Sequence, residues 1–455
     1  MCGIVGIKSK NAPEELVKAL KKLQNRGQSS CGISVYPNRP KKKIGLVWEL
    51  EPEVGFLKSS VGIGHVRYPT IGPNKYIDRD AQPFYDDKIF DKPISLAHNG
   101  NITNCETLKN ELAQNKIKIN STSDGEILLK FFAKELEEEK DIPDAVKNVM
   151  KRAEGAYSAV ALVGDELIAF KDPHGIRPLV YGNRGKDICF ASETAALDKI
   201  GYEPVKDLNP GELMIGNDSY DLDNRGKKIC MFEYVYFSRP ESVLEGKTLY
   251  DVRLDLGKRL ELGEIPDVVI PVPDTARPAA QGFGEKYGIK VREALIKDRY
   301  EKKKRSFIEP TKKGRKRVVE NMGFVKSQIY DKKIALIDDS IVRGTTSRRI
   351  IETIRSLGAK KIDFFSTCPK IQHPCFYGID FPTSEELIGY ERTEEEIAKI
   401  IGADSVIYQS IDNLVKAIGL KKEELCMACL TGNYPTNITK EDIIRLGEER
   451  RKERK

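Results

Sequence analysis

Lys332-Lys333-Ile334-Ala335-Leu336-Ile337-Asp338-Asp339-Ser340-Ile341-Val342-Arg343-Gly344-Thr345-Thr346 opens as a short apolar run, closes on two adjacent acids and continues into a loop of glycine and hydroxyls. Such a run reads as a buried strand, and the pattern that follows over Ser347–Ser356 is helical. Asp267-Val268-Val269-Ile270-Pro271-Val272-Pro273-Asp274 repeats the form, apolar and ending in an acid. Continuous apolar strands alternating with helices predict an α/β unit with a parallel, doubly wound sheet. Ligands in such sheets sit beyond the carboxyl ends of the strands, where these acids fall.

Toward the N-terminus the pattern changes. Up to about residue 225 short alternating or β-branched runs recur, among them Gly3–Ile7, Gly62–Arg67, Ser158–Val163 and Glu166–Lys171, with helical patterns at Pro13–Gln24 and Asp124–Glu138. Strands surrounded by helices predict an α+β layered unit. No repeat or low-complexity linker separates the halves, so the division is placed at 2–227 and 228–455.

The 455 residues are too many for one ordinary core. A net charge of +7 is small for that length, and nucleic-acid binding usually needs charge concentrated on one face, so no nucleic-acid partner is expected. The end, Glu448-Glu449-Arg450-Arg451-Lys452-Glu453-Arg454-Lys455, alternates in sign and reads as a solvated helix tail. No apolar run approaches the roughly 18 residues of a membrane span, and the N-terminus lacks a signal-peptide pattern, so a cytoplasmic protein is expected. The nine cysteines are an odd number and sparse, which favours reduced, metal-bound or catalytic thiols.

Cys2 is small enough for Met1 to be trimmed, which leaves a thiol and an α-amine on one residue. That amine, of ordinary pKa near about 8, can take the thiol's proton directly or through water. Met1-Cys2-Gly3-Ile4-Val5-Gly6, Leu23-Gln24-Asn25-Arg26-Gly27-Gln28, Gly64-His65-Val66-Arg67-Tyr68-Pro69-Thr70, Ala97-His98-Asn99-Gly100-Asn101-Ile102 and Ser121-Thr122-Ser123-Asp124 follow in order. Together they resemble the glutamine domain of the N-terminal-nucleophile (Ntn) amidotransferases, whose αββα sandwich is then the expected fold. The resemblance implies that Cys2 attacks the glutamine side-chain amide, with Asn99 and the Gly100 N–H stabilising the oxyanion. It gives Arg67 the α-carboxylate of glutamine and Asp124 its α-ammonium, with Arg26 and Gly27 lining the same pocket.

The acidic pair and its loop have their own chemistry. The helix N-terminus suits a phosphate, and the acids can hold ribose hydroxyls and a hydrated divalent ion. This stretch resembles the signature of type I phosphoribosyltransferases, which use 5-phosphoribosyl 1-diphosphate (PRPP). The resemblance places PRPP on Asp338, Asp339, Ser340, Arg343, Gly344, Thr345 and Thr346, and Mg2+ on Asp338, Asp339 and the hydroxyl of Thr275. Asp172-Pro173-His174-Gly175-Ile176-Arg177-Pro178-Leu179, Ser192-Glu193-Thr194 and Phe232–Ser242 extend the match over nearly the whole chain. The whole resembles the amidophosphoribosyltransferase family. That implies ammonia freed at Cys2 attacks C1 of PRPP to give 5-phosphoribosylamine, opening purine synthesis. A homotetramer inhibited by purine nucleotides is also implied. A regulatory relative that binds PRPP or purine nucleotides is the alternative.

Cys426-Met427-Ala428-Cys429 is a C-x-x-C pair, and four thiolates suit zinc or a [4Fe–4S] cluster equally by count. The iron–sulfur branch of the resembled family carries such a cluster, and its ligand contexts match Cys230, Cys375, Cys426 and Cys429. Cys368, Cys31, Cys105 and Cys189 read as ordinary thiols. Departures from the family pattern are Asn25 where histidine is usual, Pro69 where serine or alanine is common, and Asp80 where asparagine is usual. A PRPP-closing loop is expected over Arg299–Pro310, with a lysine-rich Glu301–Lys304 and an unusual Val318–Met322.

Overall fold

The computed structural model describes residues 2–68, 77–297, 322–381 and 383–453, without the side chains of 77, 446 and 449–453. Met1, Pro69, Thr70 and nearly all of the expected closing loop lie outside the described residues.

The first half folds as two stacked antiparallel sheets. One has seven strands, with Gly3–Lys8 at its centre between Asp187–Ala191 and Val61–Arg67. The other has six, with Gly155–Val163 between Ile94–Ile102 and Glu166–Lys171. Strands with both faces covered carry apolar residues on both, and Gly155–Val163 is buried at every position. Ile4, Ile63, Ala97, Val160, Leu162, Ala169 and Phe190 belong to the apolar layer between the sheets. Helix Ala12–Lys22 packs Leu16, Val17 and Leu20 on the outer face of the first sheet. Helices Asp124–Glu139 and Ile142–Arg152 cover the second. The expected elements lie within a few residues of those observed.

The second half contains a four-stranded parallel sheet, in the order Val268–Pro271, Lys333–Asp338, Lys361–Ser366 and Ser405–Tyr408. Helix Thr345–Ser356 presents Ser347, Ile350, Ile351 and Ile354 to one face, the i, i+3, i+4, i+7 spacing of an amphipathic helix. Each of those isoleucines, fully buried, contributes about 1.5–3 kcal/mol of burial. Helix Arg277–Tyr287 covers the other face through Ala279, Ala280 and Phe283. Both faces are thus closed, which leaves the carboxyl edge with Asp338 as the open side.

The halves meet across a third apolar cluster that takes Ala156 and Ile176 from the first half and Met231, Phe232, Phe237, Tyr377 and Phe381 from the second. A buried ionic network crosses the same junction. Arg26 pairs with Glu193 and Glu233, both at 2.7 Å, and Arg177 lies 3.7 Å from Glu233. All four side chains are essentially inaccessible to solvent. Two cations against two carboxylates leave no net charge, the condition under which such groups can be buried; removing one partner of such a set costs roughly 3–5 kcal/mol.

Candidate active sites

The strand Gly3–Lys8 begins directly after Cys2 and fixes where the cysteine emerges. The Cys2 N–H donates to Asn99 Oδ1 at 3.1 Å, and the Tyr68 N–H donates to Cys2 Sγ at 3.5 Å. Cys2 opens into a cleft of about 500 Å³ lined also by Arg67, His98, Gly100, Asp124 and Phe376. Asn99 is wholly buried, and among the described residues its Nδ2 has no hydrogen-bond partner. A buried donor left unpaired is costly, so its retention beside a nucleophile marks a place where a developing negative charge is met.

Asp124 accepts from the Ile102 N–H and from His98 Nε2, each at 3.1 Å. Burial would raise its carboxyl, but His98, the Ile102 N–H and Arg67 hold it below the usual range. It therefore stays ionised in a buried place, as an ammonium partner must. Arg67 donates to Asp80 at 3.1 Å, and Asp80 also accepts from the Thr122 N–H and hydroxyl. The unusual acid at position 80 thus occupies a carboxylate's place on Arg67 and ties it to the loop leading to Asp124.

Arg26 and Gly27 do not line this cleft, contrary to the sequence expectation. Arg26 donates from Nε to the Cys2 carbonyl at 3.0 Å, and its remaining nitrogens go to Glu193, Ser238 and Glu233. A fully buried guanidinium has to stand among its counter-charges, and these lie behind Cys2. The Gly27 carbonyl accepts from Gln24 at 2.7 Å in the adjoining turn. Asn25 joins the same network through Glu193 at 2.7 Å, so the departure at that position falls behind the cleft.

Sequence reading missed the second half's share in the cleft. Phe376, Asn437, Ile438, Asp442 and Arg445 all line it, the last two from helix Lys440–Glu453. The helix that leads into the charged tail therefore contributes to the cleft. Sequence offered no periodic signal for a contact spanning more than 300 residues.

At the parallel sheet, Asp338 is the last residue of its strand and Asp339 follows. The Asp339 N–H donates to Asp338 Oδ1 at 2.9 Å, and Ser340 Oγ donates to Asp339 Oδ1 at 2.7 Å. Burial and the neighbouring Asp339 push the Asp338 carboxyl well up. Arg343 lies in the loop before helix Thr345–Ser356, with its guanidinium 3.3 Å from Glu386 and 3.4 Å from Asp380. Thr275 follows the adjacent strand at the same carboxyl edge.

All nine cysteines stand outside disulfides. Ile229–Cys230 pairs in parallel with Leu425–Cys426, which puts Cys230 directly opposite Cys426. Cys375 and Cys429 share their apolar cluster, and all four are buried. Burial raises the Cys230 thiol to about 11 even though Arg177 opposes it. Cys230, Cys375 and Cys426 in turn act on buried Arg177. Among the described residues no group of three or more His, Cys, Asp or Glu stands arranged to hold a metal ion. Cys368, expected as a plain buried thiol, is fully buried.

Residues 71–199 match the family model for a glutamine amidotransferase domain. The amidophosphoribosyltransferase of Methanothermobacter thermautotrophicus is 43% identical over 452 residues, covering 96% of this chain and 94% of the relative. That of Methanocaldococcus jannaschii is 41% identical over 475 residues, covering 98% and 99%. The solved glutamine PRPP amidotransferase from B. subtilis, complexed with ADP and GMP, is 36% identical with a TM-score of 0.86, covering 97% of this chain and 98% of that one. A glutamine amidotransferase domain joined to a parallel-sheet unit with an acidic edge defines the class, a glutamine-dependent transferase. The chain belongs to the amidophosphoribosyltransferase family, and as an enzyme it is a glutamine-dependent pentosyltransferase.

Proposed function

We propose that residues 2–227 form an Ntn-type glutaminase and residues 228–455 a type I phosphoribosyltransferase unit, and that ammonia passes from the first to the second. The single observation that carries the glutaminase half is the buried Asn99 Nδ2, without a partner among the described residues, while Asn99 Oδ1 already holds the backbone of Cys2. Glutamine binds with its α-carboxylate on Arg67, taking the place of Asp80, and its α-ammonium on Asp124. The Cys2 thiol gives its proton to its own α-amine, exposed once Met1 is gone, and sulfur attacks the amide carbon. The oxyanion draws hydrogen bonds from Asn99 Nδ2 and the Gly100 N–H. Collapse breaks the C–N bond as the Cys2 α-ammonium returns its proton to the departing nitrogen, which leaves as ammonia, and water then hydrolyses the thioester to glutamate and restores the thiol. Asn99→Ala is expected to lower kcat for glutamine by about 10²–10³-fold and to leave ammonia-dependent synthesis unchanged. Glutaminase turnover within about threefold of the parent would refute this oxyanion assignment.

At the second site the PRPP 5′-phosphate lies on Arg343, Gly344, Thr345 and Thr346, and Asp338 and Asp339 hold the ribose, with Ser340 bracing Asp339. Ammonia attacks C1, the bond from C1 to the diphosphate oxygen breaks, and 5-phosphoribosylamine and diphosphate result. The two adjacent acids, whose repulsion raises Asp338, fit a hard cation. Asp338, Asp339 and Thr275 would hold Mg2+, which when bound neutralises the departing diphosphate.

Cys230, Cys375, Cys426 and Cys429 would hold a [4Fe–4S] cluster. The donor set supports it: these buried thiols share an apolar core region with Cys368 beside buried Arg177, Cys230 stands opposite Cys426, and Cys375 Sγ also accepts from the Tyr377 N–H at 3.3 Å. Bound there, the group staples the C-terminal segment to the middle of the chain. Protein purified without air is expected to be brown, with about four irons and four sulfides per chain; stoichiometric zinc without iron would refute the assignment.

The likeness to a relative complexed with ADP and GMP supports purine nucleotides as inhibitors; a homotetramer working in the cytoplasm is carried over from the sequence resemblance alone. Absence of nucleotide inhibition, or a monomeric mass by light scattering, would count against these. No described helix is long and apolar enough to cross a membrane.

A further inference from the structure

One short stretch of the second half reaches the backbone of the glutamine site. Phe376 lines the cleft, and its carbonyl accepts from Asn101 Nδ2 at 2.8 Å. The Tyr377 carbonyl accepts from buried Arg177 Nε at 2.7 Å. Gly378 has a φ of +97°, and a Cβ placed on it would stand 2.9 Å from the Gly100 carbonyl oxygen and 3.1 Å from its carbon. On Gly100 itself a Cβ would lie 1.8 Å from the Ala156 carbonyl oxygen. Gly100 is therefore enclosed by backbone, with the strand Gly155–Val163 on one side and residue 378 on the other. Further along, Asp380 reaches Arg343 at 3.4 Å, so the stretch is anchored away from the cleft as well.

We propose that Gly378 is a positioning residue for glutamine hydrolysis, and that its missing side chain allows segment 376–378 to lie on the Gly100 carbonyl and Cα and so fix, through that Cα, the direction of the oxyanion-donating N–H on the preceding peptide. The proposal rests on the reading of Asn99 and Gly100 as that donor pair. The physical reason is the strictness of oxyanion stabilisation, in which donors must already point at the place where charge develops. A Cβ at 378 has to displace the backbone of Gly100, since its three nearest atoms all belong to that residue's main chain and none is the free end of a flexible side chain. Displacing the Gly100 carbonyl shifts its Cα, and with it the N–H on the preceding peptide is misaimed. Arg67 and Asp124, which hold the α-groups of glutamine, lie on other segments and are not moved. The effect therefore falls on kcat and spares KM. The second half would then set the chemistry of the first through a packing contact rather than through a reacting group.

The test uses the full-length enzyme with Gly378→Ala, Asn101→Ala and Asn99→Ala measured side by side. Glutaminase kcat and KM, ammonia-dependent synthesis and the rate of Cys2 alkylation by iodoacetamide are read for each. Gly378→Ala is expected to lower glutaminase kcat by about 30-fold or more, with KM, ammonia-dependent synthesis and alkylation within about threefold of the parent. Asn101→Ala adds no atom and releases the other fastening of the segment, so the same kcat should fall several-fold. The proposal is overturned if both variants keep kcat within about twofold while Asn99→Ala loses about 100-fold. It is equally overturned if glutamine- and ammonia-dependent activities fall together. Full glutaminase activity in Asn99→Ala would instead remove the oxyanion reading beneath it.

Discussion

Cys2→Ala is expected to abolish glutamine-dependent synthesis while ammonia-dependent synthesis from PRPP continues at nearly the parent rate. The substitution removes one sulfur atom, and that atom's recorded contacts are two long ones to the Tyr68 backbone, at 3.5 and 3.8 Å. Little packing is lost, and the Cys2 carbonyl keeps its bond from Arg26. The fold should therefore stand. No other group at the start of the strand Gly3–Lys8 can form the thioester, so glutaminase kcat should fall by about 10⁴-fold or more. The parallel sheet that carries Asp338 and Asp339 lies in the other half and is untouched. Parallel assays with glutamine and with ammonium salts at raised pH decide the matter. Loss of both activities would mean that the two sites do not divide the work in this way.

The second large effect runs in the opposite direction. Asp338→Asn should lower both glutamine- and ammonia-dependent synthesis by about 100-fold or more, because the carboxylate that holds ribose and cation is gone. Glutaminase activity should persist, measured as glutamate release without PRPP. The change is nearly isosteric, and it takes away a charge that burial and Asp339 already make unfavourable. No loss of thermal stability is expected. Synthesis within about threefold of the parent would show that Asp338 is only the end of a strand.

How far the sequence led can be judged from particular residues. The strand Lys333–Asp338 was legible because burial on both faces writes an unbroken apolar run, and its end was legible because two acids cannot continue it. Cys2, Asn99, Arg67 and Asp124 converge on one region although 122 positions separate the first from the last. Here the motifs located the residues, and the sheets brought them together. Arg26 was misread because its partners, Glu193 and Glu233, are more than 160 residues away and nothing local announces them. Phe376 and Gly378 were missed for the same reason. A contact set by the docking of two layers leaves no periodic trace in either strand of text.

The buried network of Arg26, Glu193, Glu233 and Arg177 also bears on how such a chain could have been assembled. A glutaminase fragment ending before Glu233 would keep two guanidiniums in its interior and only one of their carboxylates. Cutting there also opens the junction to water, so the fragment would lose the Glu233 partner that holds Arg26 behind Cys2 and would bare an apolar face. The amide-cleaving unit is therefore not a free-standing module that can be spliced onto any acceptor for ammonia. A new fusion partner would have to bring its own acid to the back of the nucleophile, so recombination between such enzymes is restricted at a point remote from either substrate.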